Sequence, residues 1–278
     1  MSRKTVDSWS GSLHQTFRLL PIDQQSRNLK PFLEADGLAP DQLLSRLPYD
    51  SARSGDPTRT TPDPKRYRDG KQVYQTAGLL YEDGGRIHVT ELGAATLRWL
   101  VIINAKNRVL LVRHAAYALA ACQLRNPTGA GEKYGDEVEV FPFAFIWRAM
   151  LSLDGRLSSD ELNREIFKVT NEDELATTID AIRGARAAND ITMLGDETVS
   201  GKAKNDRIIP WMSLASFGWT LFPDKRGGEG GDYYELDAHT LAVVREAAKV
   251  RHKHRVFSSV ADYVEHVVRC AALPKDLR

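Results

Sequence analysis

The strongest constraint on the fold is a short pattern that the chain uses twice. In "KRYRDGKQVYQTAGLLYEDGGRIHVT" (65–90), basic and amide residues lead into a helix, a glycine, two short extended runs around a glycine turn, and a helix cap. "KNDRIIPWMSLASFGWTLFPDKRGGEGGDYYELD" (204–237) follows the same order. In the first copy Gly78 suits a helix C-cap, "LLY" a strand, "EDGG" a turn and "RIHV" the return strand. Strand alternation puts Ile87 and Val89 on one face, Arg86 and His88 on the other. Thr90 fits an N-cap, and Glu91 sits in a first turn where the helix dipole favours an acid. In the second copy Gly218 ends the helical segment, a glycine-rich turn joins two strands, and Asp237 caps the next helix.

The flanking sequence is helical in pattern. "DSWSGSLHQTFRLL" reads as a first helix stopped by Pro21, and 23–47 as two more, the first interrupted by Pro31. The Pro-, Gly-, Ser- and Thr-rich run at 49–71 is a loop whose end, from Lys65, starts the helix of the first copy. A helix to about Ile103 and an alanine-rich helix at roughly 105–125 follow, then "NPTGAGEKYGDEVEVF" as the best linker. Beyond it come an apolar helix closed by Gly155, a helix capped by Ser158 or Ser159 with Glu161 and Glu165 on its polar side, and a third helix at 171–190. Arg183 and Arg186 lie near the end of that third helix, where the dipole favours cations. The expected fold class is mainly α with small β-hairpins (α+β). The expected units are an N-terminal domain at 1–104, a connecting helix and linker at 105–140, and a C-terminal domain with a helical tail at 141–278.

Two units suit 278 residues, and 42% hydrophobic with 27% charged residues permits a sizeable core. Cys122 and Cys270 are far apart in apolar settings, so they read as buried thiols rather than a disulfide framework or zinc site. The N-terminus carries no apolar signal core, and "VLLVRHAAYALAACQL" is broken by Arg113 and His114, too short and charged to span a bilayer. A cytoplasmic location without membrane contact is the resulting expectation.

Net charge is only +1, so local clustering decides the partner. Between 53 and 71 six basic residues stand against three acidic ones, a local balance of +3. A helix-turn-helix lays its second helix in the major groove, and a hairpin after that helix forms a wing beside it. On this reading the chain is two winged helix-turn-helix lobes joined by a central helix, with double-stranded DNA as partner. The first lobe would present Lys65, Arg66, Tyr67, Arg68, Lys71, Gln72 and Gln75 on or before its recognition helix, and Arg86 and His88 on its wing. The second would present Lys202, Lys204, Asn205 and Arg207 ahead of its helix, and Lys225 and Arg226 at its hairpin tip. Arginine and lysine pair with guanine and glutamine with adenine, while further cations contact phosphates. "REAAKVRHKHR" is a third cluster that could track a backbone. Its His252 and His254 would diverge on a helix, so a solvated basic end is the expectation rather than a metal site.

Catalytic motifs are not recognisable. "GDEVEVF" and "GDYYELD" place acids on extended runs without the lysine of an acid-x-Lys nuclease site. Neither a phosphate-binding P-loop nor a G-x-S-x-G elbow occurs. No cofactor, metal ligand or catalytic residue is assigned, and the reading leans away from an enzyme.

"TAGLLYEDGGRIHVTELGAATL" and "FPFAFIWRAMLSLDGRLSSDEL", followed by "TIDAIRGAR", are similar to the paired winged-helix recognition modules of type IIS restriction endonucleases of the AlwI and FokI kind. The resemblance covers most of the chain. It implies sequence recognition on duplex DNA, favouring Arg66, Lys71, Gln72 and Gln75 in the first lobe and Lys204, Asn205 and Arg207 in the second. The family cuts with a separate catalytic domain, whose motif this chain lacks, so the reading is the recognition component of a restriction or phage-defence system, with any nuclease or ATPase on another chain. The alternatives are a restriction endonuclease with a divergent metal site, or a winged-helix regulator or scaffold.

Overall fold

The computed structural model describes residues 9, 29–47, 64–101, 104–129, 134–198, 208, 211–212, 214–215, 226–228 and 231–274. The expected helix before Pro21 lies outside these, apart from Trp9. So do Lys202, Lys204, Asn205, Arg207, Gly218 and Lys225. The described chain is mainly helical with small antiparallel β-hairpins, as expected.

A helical turn at 29–33 (α1) precedes α2 (Pro40–Arg46) and α3 (Pro64–Thr76). The hairpin β1 (Leu80–Asp83) and β2 (Arg86–Val89) follows. Its turn is tighter than "EDGG": Asp83 pairs with Arg86, leaving Gly84 and Gly85, both at positive φ, as a two-residue loop. Such primed turns match the twist of the flanking strands and require residues that tolerate positive φ. Gly78 closes α3 as expected, with Leu79 N–H donating to the Tyr74 carbonyl at 2.9 Å. Thr90 Oγ1 caps the next helix, α4 (Glu91–Val101), by accepting from Gly93 N–H at 3.0 Å.

A third backbone run joins this hairpin. Gly37 N–H donates to the Ile87 carbonyl at 2.8 Å, and Ile87 N–H donates to that of Leu38 at 2.9 Å. Two residues opposite one, the first a glycine at φ +74°, form a G1 bulge. β2 is therefore flanked by the 37–38 run on one side and β1 on the other.

The second lobe repeats that order. α6 (Pro142–Ser152) is followed by β3 (Arg156–Ser158), α7 (Ser159–Arg164), α8 (Leu175–Ala188) and the hairpin β4 (Arg226–Gly228) and β5 (Gly231–Glu235). Between the lobes runs α5 (Ala105–Ala120). The sheet order is β3-β5-β4, so the last strand again lies in the middle. Each lobe thus reads helix, extended run, helix, helix, hairpin. The sequence pairing of 65–90 with 204–237 found the hairpin but not the helix that belongs with it. The counterpart of α3 is α8, and a long insertion separates α8 from its hairpin.

Two further expectations change. Tyr134, Val138 and Val140 are buried, and Leu124 N–H donates to the Val140 carbonyl at 2.8 Å. The described part of the supposed linker is therefore packed structure. Asp237 caps a turn through His239 N–H (2.7 Å), and α9 (Leu241–Lys249) begins four residues later.

The chain ends cross between lobes. Trp9 sits among Phe145, Phe167 and Trp211 with ring centroids 5.6–6.1 Å apart, and its indole N–H donates to the Val169 carbonyl at 2.7 Å. Aromatic pairs of this kind are worth roughly 0.5–1.5 kcal/mol beyond their buried area. At the other end, α10 (Val260–Cys270) packs on β1, α3 and α5 of the first lobe. Tyr263 Oη donates to the Thr76 carbonyl at 3.1 Å, and Val267 lies over Gly78.

Candidate nucleic-acid interface

In the first lobe α3 begins at Pro64 and has no acidic residue in its first turn. Proline is pre-organised for the first helical position, and in the sequence Asp63 immediately precedes it. Lys65 and Arg66 lie in that turn. Arg68 has a side chain 67% exposed, with Asp69 3.6 Å away.

Tyr67 and Lys71 are held from the hairpin. Tyr67 stacks on Phe32 and donates its hydroxyl to Glu82 Oε2 at 2.9 Å, and Lys71 Nζ reaches the same oxygen at 2.6 Å. Partial burial pushes the Glu82 carboxyl up, but the bonds from Lys71 and Tyr67 outweigh it and hold the group below the usual carboxylate range. Burial and the Glu82 bond push the Tyr67 phenol up. Both side chains fix the angle between α3 and hairpin, so they position the site more than they face outward. Gln75 is only 6% exposed, which removes its amide from any base edge. Gln72 is half-buried, with Nε2 3.6 Å from where a Cβ of Gly129 would stand. On the hairpin Arg86 is exposed and donates to the Gly37 carbonyl at 2.7 Å, while His88 stacks on Tyr81 at 5.0 Å.

In the second lobe the corresponding helix carries opposite charge at its start. Glu172, Asp173 and Glu174 precede α8, capped by Asn171. Its cations are engaged within the protein. Arg186 donates to both oxygens of Glu161 at 2.7 and 2.9 Å and to the carbonyls of Leu153 and Arg156. Glu161 is therefore a buried partner and not a member of a polar helix face: the arginine satisfies it, so the core accepts a carboxylate there. Ser158 completes a capping box with the same glutamate. Arg183 donates to the Ser152 carbonyl at 2.9 Å and lies 3.5 Å from Asp180. Arg226 opens β4 opposite Tyr233, with Gly228 opposite Gly231 at the other end, so it lies away from the hairpin tip.

The cluster after α9 also departs from expectation. It is extended, so His252 and His254 point to the same side, inward against Phe141. Burial lowers the pKa of both, helped by Arg148 near the first and Arg125 near the second. A period-two alternation of cation and histidine was visible in "RHKHR". Cys122 is buried as expected, its thiol pushed up to about 12 by burial, while Cys270 is half-buried. Among the described residues no cluster of histidine, cysteine, aspartate and glutamate is placed to hold a metal ion. No described helix is long and apolar enough to cross a membrane.

No protein-family model matches the chain, and no curated protein matches it in sequence. Among solved structures, it is similar to the BpuJ1 endonuclease binding domain, crystallised in complex with pyrene- and phenanthrene-modified DNA. The TM-score is 0.55 at 13% identity, covering 90% of this chain and 92% of that chain. The likeness is one of fold, and it extends over both lobes.

Proposed function

We propose that this chain binds double-stranded DNA through its first lobe, as the recognition component of a restriction or phage-defence system. Both lobes are read as winged helices. The observation that carries the proposal is α3: Lys65, Arg66 and Arg68 in the first turns of a helix braced by a hairpin through the Tyr67–Glu82–Lys71 cluster. A solved neighbour of the same fold is held on DNA, which supports the partner class.

In this reading Lys65, Arg66 and Arg68 meet phosphates or base edges at the α3 N-terminus, and Arg86 and His88 lie along an adjacent backbone. Lys202, Lys204, Asn205, Arg207, Lys225 and Arg226 remain candidates for phosphate contact in the second lobe. Gln75 leaves the set because it is buried. Cutting or motor activity would belong to another chain. Selection from random duplex DNA, unmodified and carrying modified cytosine, tests the proposal. Enrichment of a defined sequence or modification is expected, without nicking when magnesium is added. Recovery of an unenriched pool at low salt would overturn recognition, and magnesium-dependent nicking would make the chain a nuclease.

A further inference from the structure

The segment between α9 and α10 runs between the third helices of the two lobes. At its start Arg148 Nε donates to the Ala248 carbonyl at 3.1 Å, and Arg251 lies 3.9 Å from Glu172, just ahead of α8. At its end Gln123 clamps Arg255, donating to its carbonyl at 2.8 Å and accepting from its N–H at 2.9 Å. The loop that begins at Gln123 continues to Thr128, whose hydroxyl is 3.2 Å from that of Thr76 at the end of α3. A chain of contacts, buried at its α3 end, therefore links α8 to α3 through this segment.

Along it Lys249, Arg251, Lys253 and Arg255 are exposed at every second residue. The intervening histidines are turned in, His252 beside Cys270 at 3.9 Å and His254 3.9 Å from Glu139. An extended chain rises about 3.3 Å per residue, so Arg251, Lys253 and Arg255 span about 13 Å, with Lys249 just before them at the end of α9. Cations at every second residue of an extended chain stand about 6.6 Å apart, of the order of the step between successive phosphates along one strand. Packed histidines on one side and cations on the other make a one-sided cationic edge, held at both ends.

We infer that residues 249–255 form a phosphate-tracking strap, laid along one strand of duplex DNA between the two lobes. The inference rests on the reading that the chain binds duplex DNA, and adds the element that would couple the lobes on it. Each phosphate neutralised steepens the dependence of log affinity on log salt by about 0.9.

The test is a salt titration of binding to a fluorescently labelled mixed-sequence duplex, with the full chain and with a Lys249→Ala, Arg251→Ala, Lys253→Ala variant. The expected result is a slope shallower by about 2–3 in the variant. A Lys249→Arg, Lys253→Arg variant, which leaves the charge in place, should retain the parent slope and shows the effect apart from any fold defect. Binding by the parent with an unchanged slope in the alanine variant overturns the strap and leaves duplex binding standing. No binding by the parent overturns both.

Discussion

In the first lobe the third helix begins with Lys65, Arg66 and Arg68 and no acid in its opening turn. In the second lobe the helix at the same place in the order follows Glu172, Asp173 and Glu174, and its Arg186 is bound to Glu161 and backbone carbonyls. One arrangement sets cations in the first turns of the helix, where a polyanion gains from them. The other sets acids there and uses its cations to close the lobe. Equivalent topology thus hosts a candidate reading surface in one lobe and a structural brace in the other.

The comparison can be broken most sharply at α3. Reversing Arg66 and Arg68 together to glutamate should lower duplex affinity by roughly a hundredfold or more, since each such contact is worth about 1–3 kcal/mol. Retention of parental affinity in a gel shift would remove α3 from the interface. Lys71 is a poorer choice, because a glutamate there would face Glu82 and loosen the hairpin.

The brace has the next largest effect. Arg186→Ala leaves the Glu161 carboxylate, 3% exposed, with only its capping contacts. The expected loss is about 3–5 kcal/mol in urea unfolding, because removing one partner strands a buried charge. DNA affinity of the folded fraction should not change. A variant as stable as the parent would show that Arg186 is not a brace.

Smaller still, Ser158→Ala should cost about 1 kcal/mol, the usual worth of an N-cap. It would leave α7 with half a capping box, as in α2, where Ala39 N–H donates to Gln42 Oε1 at 3.0 Å without a side-chain cap. The smallest effect belongs to Arg183→Glu on the exposed side of α8, where duplex affinity should move by less than about threefold under physiological screening. A loss matching that of the α3 variant would make both lobes readers.

The first hairpin was legible because its signals are local. Gly78, Gly84, Gly85 and Thr90 each fix one backbone feature within a few residues. The first-lobe helix start was equally readable from Pro64 and the basic run. The second lobe misled the sequence reading because its third helix and its hairpin are separated by the segment from 195 to 225. The helical pattern nearest to the glycines in sequence is not the one that belongs with the hairpin. A better signal lay in "GRLSSDEL", an extended run leading into a capping box, which parallels "GLAPDQLL" in the first lobe. Gln75 and Lys71 illustrate a different limit. Polarity and helical position named them as outward, but the α10 and hairpin contacts that enclose this end of α3 come from remote sequence. The crossing of Trp9 and α10 between lobes carries no local signature at all.

Directed cleavage from the two third helices tests the central claim most directly. In a Cys270→Ala background, where the remaining Cys122 thiol is buried, Arg68→Cys or Arg183→Cys would carry an iron-chelate cleavage group. Bound to a selected duplex, the protein labelled at 68 should cut the DNA strongly at one localised position, and the protein labelled at 183 should cut it much more weakly. Absence of cutting from 68, or equal cutting from both positions, would contradict the account.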